Sequence, residues 1–115
     1  MKSTVLILCL QFAFINLIAQ DCNQLPEHFN SYSEAISFVK NASFKFTDQV
    51  NTSKSSWIRS ASYYSCDGQT GYFIISTDNK EYIHKNVPIE VWKQFKNASS
   101  FGSFYDYSIK VENPR

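Results

Sequence analysis

At 115 residues the chain has room for one small domain and not for two. Its 43% hydrophobic and 17% aromatic content is enough for a packed core and excludes wholesale disorder. A formal net charge of +1 gives no broad attraction for nucleic acid or an anionic membrane, leaving only a local patch to supply one.

Residues 1–19 begin with Lys2, run through the apolar stretches 5–10 and 12–18, and close on Leu17-Ile18-Ala19 before the polar Gln20-Asp21. A charged start, an apolar centre and a small residue at the boundary form the pattern of a secretory signal, with the cut expected after Ala19. The apolar run falls short of the ~20 residues of a membrane span, and Gln11 and Asn16 interrupt it; an uncleaved anchor is the competing reading. Lipidation at Cys22 is disfavoured, because Asp21 rather than a small residue precedes it. The expected compartment is therefore extracellular or periplasmic. Cys9 would leave with the signal, so Cys22 and Cys66 remain as an even pair in an exported domain. A bridge between them would close a loop of roughly 40 residues, for which chain entropy gives about 4 kcal/mol at most. Two separate thiols are the alternative, and geometry decides between them.

Residues 20–30 contain Pro26 and no regular period, as an irregular lead-in would. Ser31 and Glu34 have the spacing of a capping box, and Tyr32, Ala35, Ile36 and Val39 follow at helical spacing, predicting a short amphipathic helix over 31–40. Over 42–50, Phe44, Phe46 and Val50 alternate with polar residues, which predicts one strand of a sheet wet on one side. A second strand is expected at 57–64, with Trp57, Ala61 and Tyr63 on one face and Ile58, Ser60, Ser62 and Tyr64 on the other. The cluster 65–71 holds Asp67-Gly68 and reads as a reversal. Residues 72–77 form a dense β run, Asp78-Asn79 suits a hairpin turn with positive φ, and 80–84 return as a further strand. Val87-Pro88 then starts a helix to Ala98, proline fitting the first turn and Val91, Trp92, Phe95 and Ala98 forming an apolar stripe. Gly102 is expected to turn the chain with positive φ into an aromatic closing strand over 104–111.

Within this order, Ser55-Ser56-Trp57-Ile58, Tyr63, Tyr82, Val87-Pro88, Val91-Trp92, Phe95, Ala98, Ser100, Gly102, Phe104-Tyr105-Asp106 and Ile109-Lys110 resemble the KTSC domain, a small family named for its place at the C-terminus of certain lysyl-tRNA synthetases. The resemblance covers 53–111. Its most specific part is Val87-Pro88 followed by Ala98-x-Ser100-x-Gly102-x-Phe104-Tyr105. The chain departs from the family in its turn, Asp78-Asn79-Lys80, which lacks a glycine, and in its strand 72–76. The resemblance implies a compact α+β domain, brings no catalytic constellation, and raises nucleic-acid binding as a suggested role. The division expected is signal 1–19, an N-terminal extension 20–52 of helix and strand, and a KTSC-like domain 53–112.

The residues themselves carry no evident reaction. His28 and His84 are the only histidines and, with the cysteines, lack zinc-ligand spacing. No Gly-x-Ser-x-Gly elbow is present, and a bridged Cys66 would be silent as a nucleophile. No cofactor, metal or catalytic residue is expected. Lys80, Lys85, Lys93, Lys96 and Lys110 lie among Tyr82, Tyr105 and Tyr107, a local basic and aromatic set that reads either as a solvated face or as a binding surface. The expected function is a non-enzymatic interaction module meeting a protein or an extracellular polymer through Tyr82, Lys85, Lys93 and Tyr105, with RNA binding as the alternative. Asn41, Asn51 and Asn97 each stand in an N-glycosylation acceptor pattern.

Overall fold

The computed structural model describes residues 20–110; the signal expected at 1–19 lies outside them. Gln20–Asp21 (β1) pairs in parallel with Ala42–Ser43 (β2), and a 3-10 turn follows at Cys22–Gln24. Ser31 caps helix α1, Tyr32–Asn41, its hydroxyl accepting from the Glu34 amide at 3.1 Å. The Glu34 carboxylate reaches back, accepting from the Asn30 amide at 2.8 Å. This reciprocal cap satisfies two backbone donors at the helix start. The helix buries Ala35, Ile36 and Val39 while Tyr32 stays at the rim, 39% exposed.

The strand expected over 42–50 is split. Its first part is β2, and its second, Phe46–Val50 (β3), enters a different sheet. Phe44 lies between them and packs on Tyr64 and Tyr72, whereas Phe46 packs on Tyr63, so the two phenylalanines serve opposite faces. Ile58–Ser65 (β4), Thr70–Thr77 (β5) and Glu81–Pro88 (β6) follow, and β3-β4-β5-β6 form a four-stranded antiparallel meander. β3, placed by sequence in an N-terminal extension, is thus an edge strand of the main sheet.

Two irregularities set which side chains reach the core. Ile58 pairs with Thr77 but Ser60 with Ser76, so β4 carries an extra residue there. This bulge brings Ile58 onto the face of Ala61 and Tyr63, against the simple alternation expected. Arg59, at the bulge, donates from Nε to Asp78 at 2.6 Å. In β6, Gly71 pairs with Val87 and Phe73 with His84, leaving an extra residue near Asn86, whose φ is 57°. Asparagine tolerates this left-handed conformation better than most side chains. The hairpin between β5 and β6 uses no such residue, since neither Asp78 nor Asn79 has positive φ. Instead the Thr77 hydroxyl and amide face the Lys80 carbonyl, at 3.1 and 3.0 Å. At the preceding turn, Gly68 does take a φ of 79°. There the Asp67 carboxylate accepts from the Gln69 and Thr70 amides, and these bonds, more than any other influence, hold its pKa below the usual carboxylate value.

The sheet is covered on both faces rather than wet on one. One core joins Ala35, Ile36 and Val39 of α1 to Ile74 and Ile83. The larger core joins Ile58, Ala61, Tyr63, Phe73, Ile75 and Val87 to Trp92, Phe95, Phe101, Tyr105 and Ile109. Central strand β5 therefore buries Phe73, Ile74 and Ile75 in succession, which explains its unbroken apolar run. Helix α2, Ile89–Lys96, follows β6 directly, with Pro88 as its N-cap rather than within its first turn. Trp92 and Phe95 are fully buried; Trp92 stacks on Tyr63 at 5.5 Å between ring centres.

The closing strand expected over 104–111 is helical instead. Phe101–Phe104 (α3) continues as a π-helical turn, Tyr105–Ile109, with the Lys110 amide donating to the Tyr105 carbonyl at 2.9 Å. Phe101, Tyr105 and Ile109 recur every four residues and all point into the core. Gly102 sits inside α3 without positive φ. Its missing side chain has another reason: a Cβ there would lie 2.7 Å from Nε1 of Trp57.

Candidate binding surface

The four residues expected to form one surface are dispersed. Tyr105 is 2% exposed, and its hydroxyl lies 2.8 Å from Nε2 of the buried His84; it is a core residue, not a contact residue. Its ring also stacks on Phe73. Lys93 is exposed on α2, 3.6 Å from Glu90 one turn earlier. Lys85 is exposed on β6, and its ammonium donates to the Glu27 carbonyl at 3.0 Å on the N-terminal lead-in. Tyr82 is half-buried on β6 and meets Tyr32 edge-on at 6.1 Å. Lys85 thus belongs with α1 and Lys93 with the helix that covers the opposite sheet face.

Tyr82 and Lys85 are related only through Tyr32, which meets the Tyr82 ring and shares a groove with Lys85, and Lys80 joins this set. The Lys80 ammonium stands 5.0 Å from the Tyr82 ring centre and 5.9 Å from that of Tyr32, in cation–π range. Two open grooves flank Tyr32. One, of about 450 Å³, is lined by His28, Phe29, Asn30, Ala35, Ile83 and Lys85 among others. The second, of about 520 Å³, runs along Ser33, Ile36 and Ser37 of α1 to Lys80 and Glu81. Both end on β6, which is the edge of the sheet. Sequence reasoning assigned Tyr32 to the apolar face of its helix. Its place at the first helical position, one turn before Ile36, was the signal that it would lie at the rim.

The first groove joins a histidine to a serine, a pairing that invites comparison with hydrolases. The Ser31 hydroxyl is engaged as the cap of α1, and no carboxylate lines the groove to orient His28. His84 is held in the core, away from both grooves.

Cys22 and Cys66 form a disulfide, with Cα atoms 5.9 Å apart, tying the lead-in to the turn between β4 and β5. Among the described residues, the one grouping with metal-ligand atoms close together is Asp21, Cys22 and Cys66. Its sulfurs are bonded to each other, so neither is available as a thiolate. Most of the basic side chains are engaged. Lys40 pairs with Glu81 at 3.0 Å and Lys96 with Asp48 at 2.6 Å, while Lys54 donates to the Ala98 carbonyl at 2.7 Å. Asp48 also accepts from the Trp92 indole at 2.9 Å. Burial pushes the Asp48 pKa up, but the hydrogen bonds from Lys96, Trp92 and the Gln49 amide outweigh it and bring the pKa below the ordinary value. Burial, with a smaller push from Asp67, raises Tyr63 to about 12, its hydroxyl donating to the Val87 carbonyl at 2.6 Å.

All three acceptor-pattern asparagines are exposed. Asn41 and Asn97 donate to helix carbonyls four residues back, and Asn51 accepts from the Ser53 amide. No described helix is long and apolar enough to cross a membrane. Comparison with family models, with curated proteins and with solved structures finds no match.

Proposed function

We propose that this chain is an exported, non-enzymatic binding module that holds a protein segment or an extracellular polymer along the β6 edge, with Tyr32, Tyr82, Lys80 and Lys85 as its contacts. The observation that carries the reading is the pair of grooves on either side of Tyr32, where exposed aromatic surface, hydroxyl groups and two lysines meet at a sheet edge. Tyrosine offers large contact area with few rotors to immobilise, so it binds at low entropic cost. The disulfide supports an oxidising compartment, as does the apolar N-terminal stretch read as a signal. The resemblance to the KTSC domain supports the same class of role, since that family brings no catalytic constellation.

RNA binding stands as the alternative. A field that attracts a phosphate backbone needs unpaired basic groups gathered on one face. Here Lys40, Lys93 and Lys96 each have an acidic partner, and the remaining lysines are spread over both sides of the sheet.

The test is capture from the native extracellular fraction on immobilised protein, run beside a salt titration with labelled RNA and single-stranded DNA. The proposal expects a retained partner that the double variant Tyr32→Ala, Lys85→Ala loses while still folding cooperatively, and no salt-dependent nucleic-acid binding. Equal capture by parent and variant would remove the β6 edge as the site. Salt-dependent RNA binding at low ionic strength would replace the reading with its alternative.

A further inference from the structure

A further cavity lies away from the Tyr32 grooves, where two distant stretches of chain converge. The loop before β4 supplies Lys54, Ser55, Ser56 and Trp57; the turn between α2 and α3 supplies Ser99 and Ser100, and the start of α3 supplies Phe101 and Gly102. The cavity measures about 190 Å³, and its lining is predominantly polar. No carboxylate contributes to it, and every charged or titratable group facing it is the one ammonium of Lys54.

Its polar side chains are an ammonium, an indole N–H and serine hydroxyls, each with an N–H or O–H. The Lys54 ammonium gives one bond to the Ala98 carbonyl at 2.7 Å and stands 4.3 Å from the Phe101 ring centre, which fixes it in place with further N–H groups to offer. The Ser55 oxygen accepts from the Ile58 amide at 3.0 Å, so its own proton is left for another acceptor. The Trp57 indole N–H has no protein acceptor among the described residues. The contrast with Trp92 is direct, since that indole donates to Asp48 at 2.9 Å. Gly102 lets the indole edge pack close beside the cavity: a Cβ there would stand 2.7 Å from Nε1 and 2.9 Å from Cζ2.

We infer that this cavity is a binding site for a small oxyanion, a carboxylate or phosphate group. One cation, an indole N–H and several hydroxyls converge with no anion to neutralise them, and charge-assisted bonds to such a group are the strong ones available to this donor set. The lysine is held by a carbonyl rather than a carboxylate, so its charge is uncompensated locally. The site is independent of the β6 edge and stands whether or not that edge binds a partner.

The experiment is a titration of isotope-labelled, disulfide-intact protein followed by NMR, with sodium phosphate and sodium acetate as probes and sodium chloride at matched ionic strength as control. The inference expects a saturable shift of the Trp57 indole N–H with at least one of the two probes, while the Trp92 indole N–H stays in place. The phosphate and acetate arms distinguish a tetrahedral from a planar headgroup. Lys54→Gln should raise Kd about tenfold or more, the loss of one charge-assisted bond. If that variant fails to fold, Ser99→Ala tests the same cavity with less disturbance and should also weaken binding. An unchanged Trp57 signal, a shift matched by chloride, or undiminished affinity in the folded variants would each overturn the site.

Discussion

Single residues in this protein are placed by contacts that composition does not reveal. Gly102 is the clearest case. A turn with positive φ was the natural reason for glycine after a helix, yet the residue lies inside α3 and is small because the Trp57 indole lies against it. Gly102→Ala should therefore destabilise the fold by about 1–3 kcal/mol through overpacking, although alanine favours a helix. A chemical denaturation midpoint equal to the parent's would show that the indole has room to move. Asp48 is a second case. It breaks the alternation of its strand, falling in phase with Phe46 and Val50; in the fold it receives both the Trp92 indole and the Lys96 ammonium. Its folded pKa lies below the ordinary carboxylate value, so its stabilising contribution is complete above the unfolded pKa and is lost as pH falls through the folded value. Acid titration of Asp48→Asn should accordingly lose less stability below about pH 4 than the parent does. Parallel acid profiles would mean that the carboxylate does not matter to the fold.

At the scale of elements, the sequence was most informative where a local rule is strong. Ser31 and Glu34 announced the cap of α1, and the alternating and apolar runs announced β3 to β6. It was least informative where one inserted residue reverses a face. The bulge after Ile58 and the left-handed Asn86 leave no local mark, yet together they decide which side chains reach the larger core. The C-terminal segment carried two signals. Its aromatic richness favours a strand, while Phe101, Tyr105 and Ile109 at intervals of four favour a helix, and burial of all three settles the contest for the helix. The same spacing was the available sign that Tyr105 would be internal. The lead-in is different again, because it holds little regular structure and depends on covalent and edge contacts. The disulfide spans a sequence separation of 44. Replacing both cysteines by serine should cost about 2–4 kcal/mol and loosen the lead-in before the sheet. Measuring the thermal midpoint of that double variant checks this, and no change would mean that β1, β2 and Lys85 hold the segment unaided.

For the whole molecule, covering both faces of the sheet leaves Tyr32, at the rim of α1, and Tyr107, on the C-terminal helical turn, as the exposed tyrosines among the described residues. The sequence suggested a partner surface from the proximity of tyrosines and lysines along the chain. Proximity in sequence proved a poor guide, since Tyr105 turned inward and Lys93 went to the far face, while Tyr32 arrived from another element. The surface proposed for a partner is the edge built by α1 and β6. Hydrogen–deuterium exchange, with and without the partner recovered from the native extracellular fraction, tests that claim most directly. Slower exchange on binding is expected in residues 32–36 and 80–85, with α2 unchanged. Protection confined to α2, or absent from both of those segments, would contradict it.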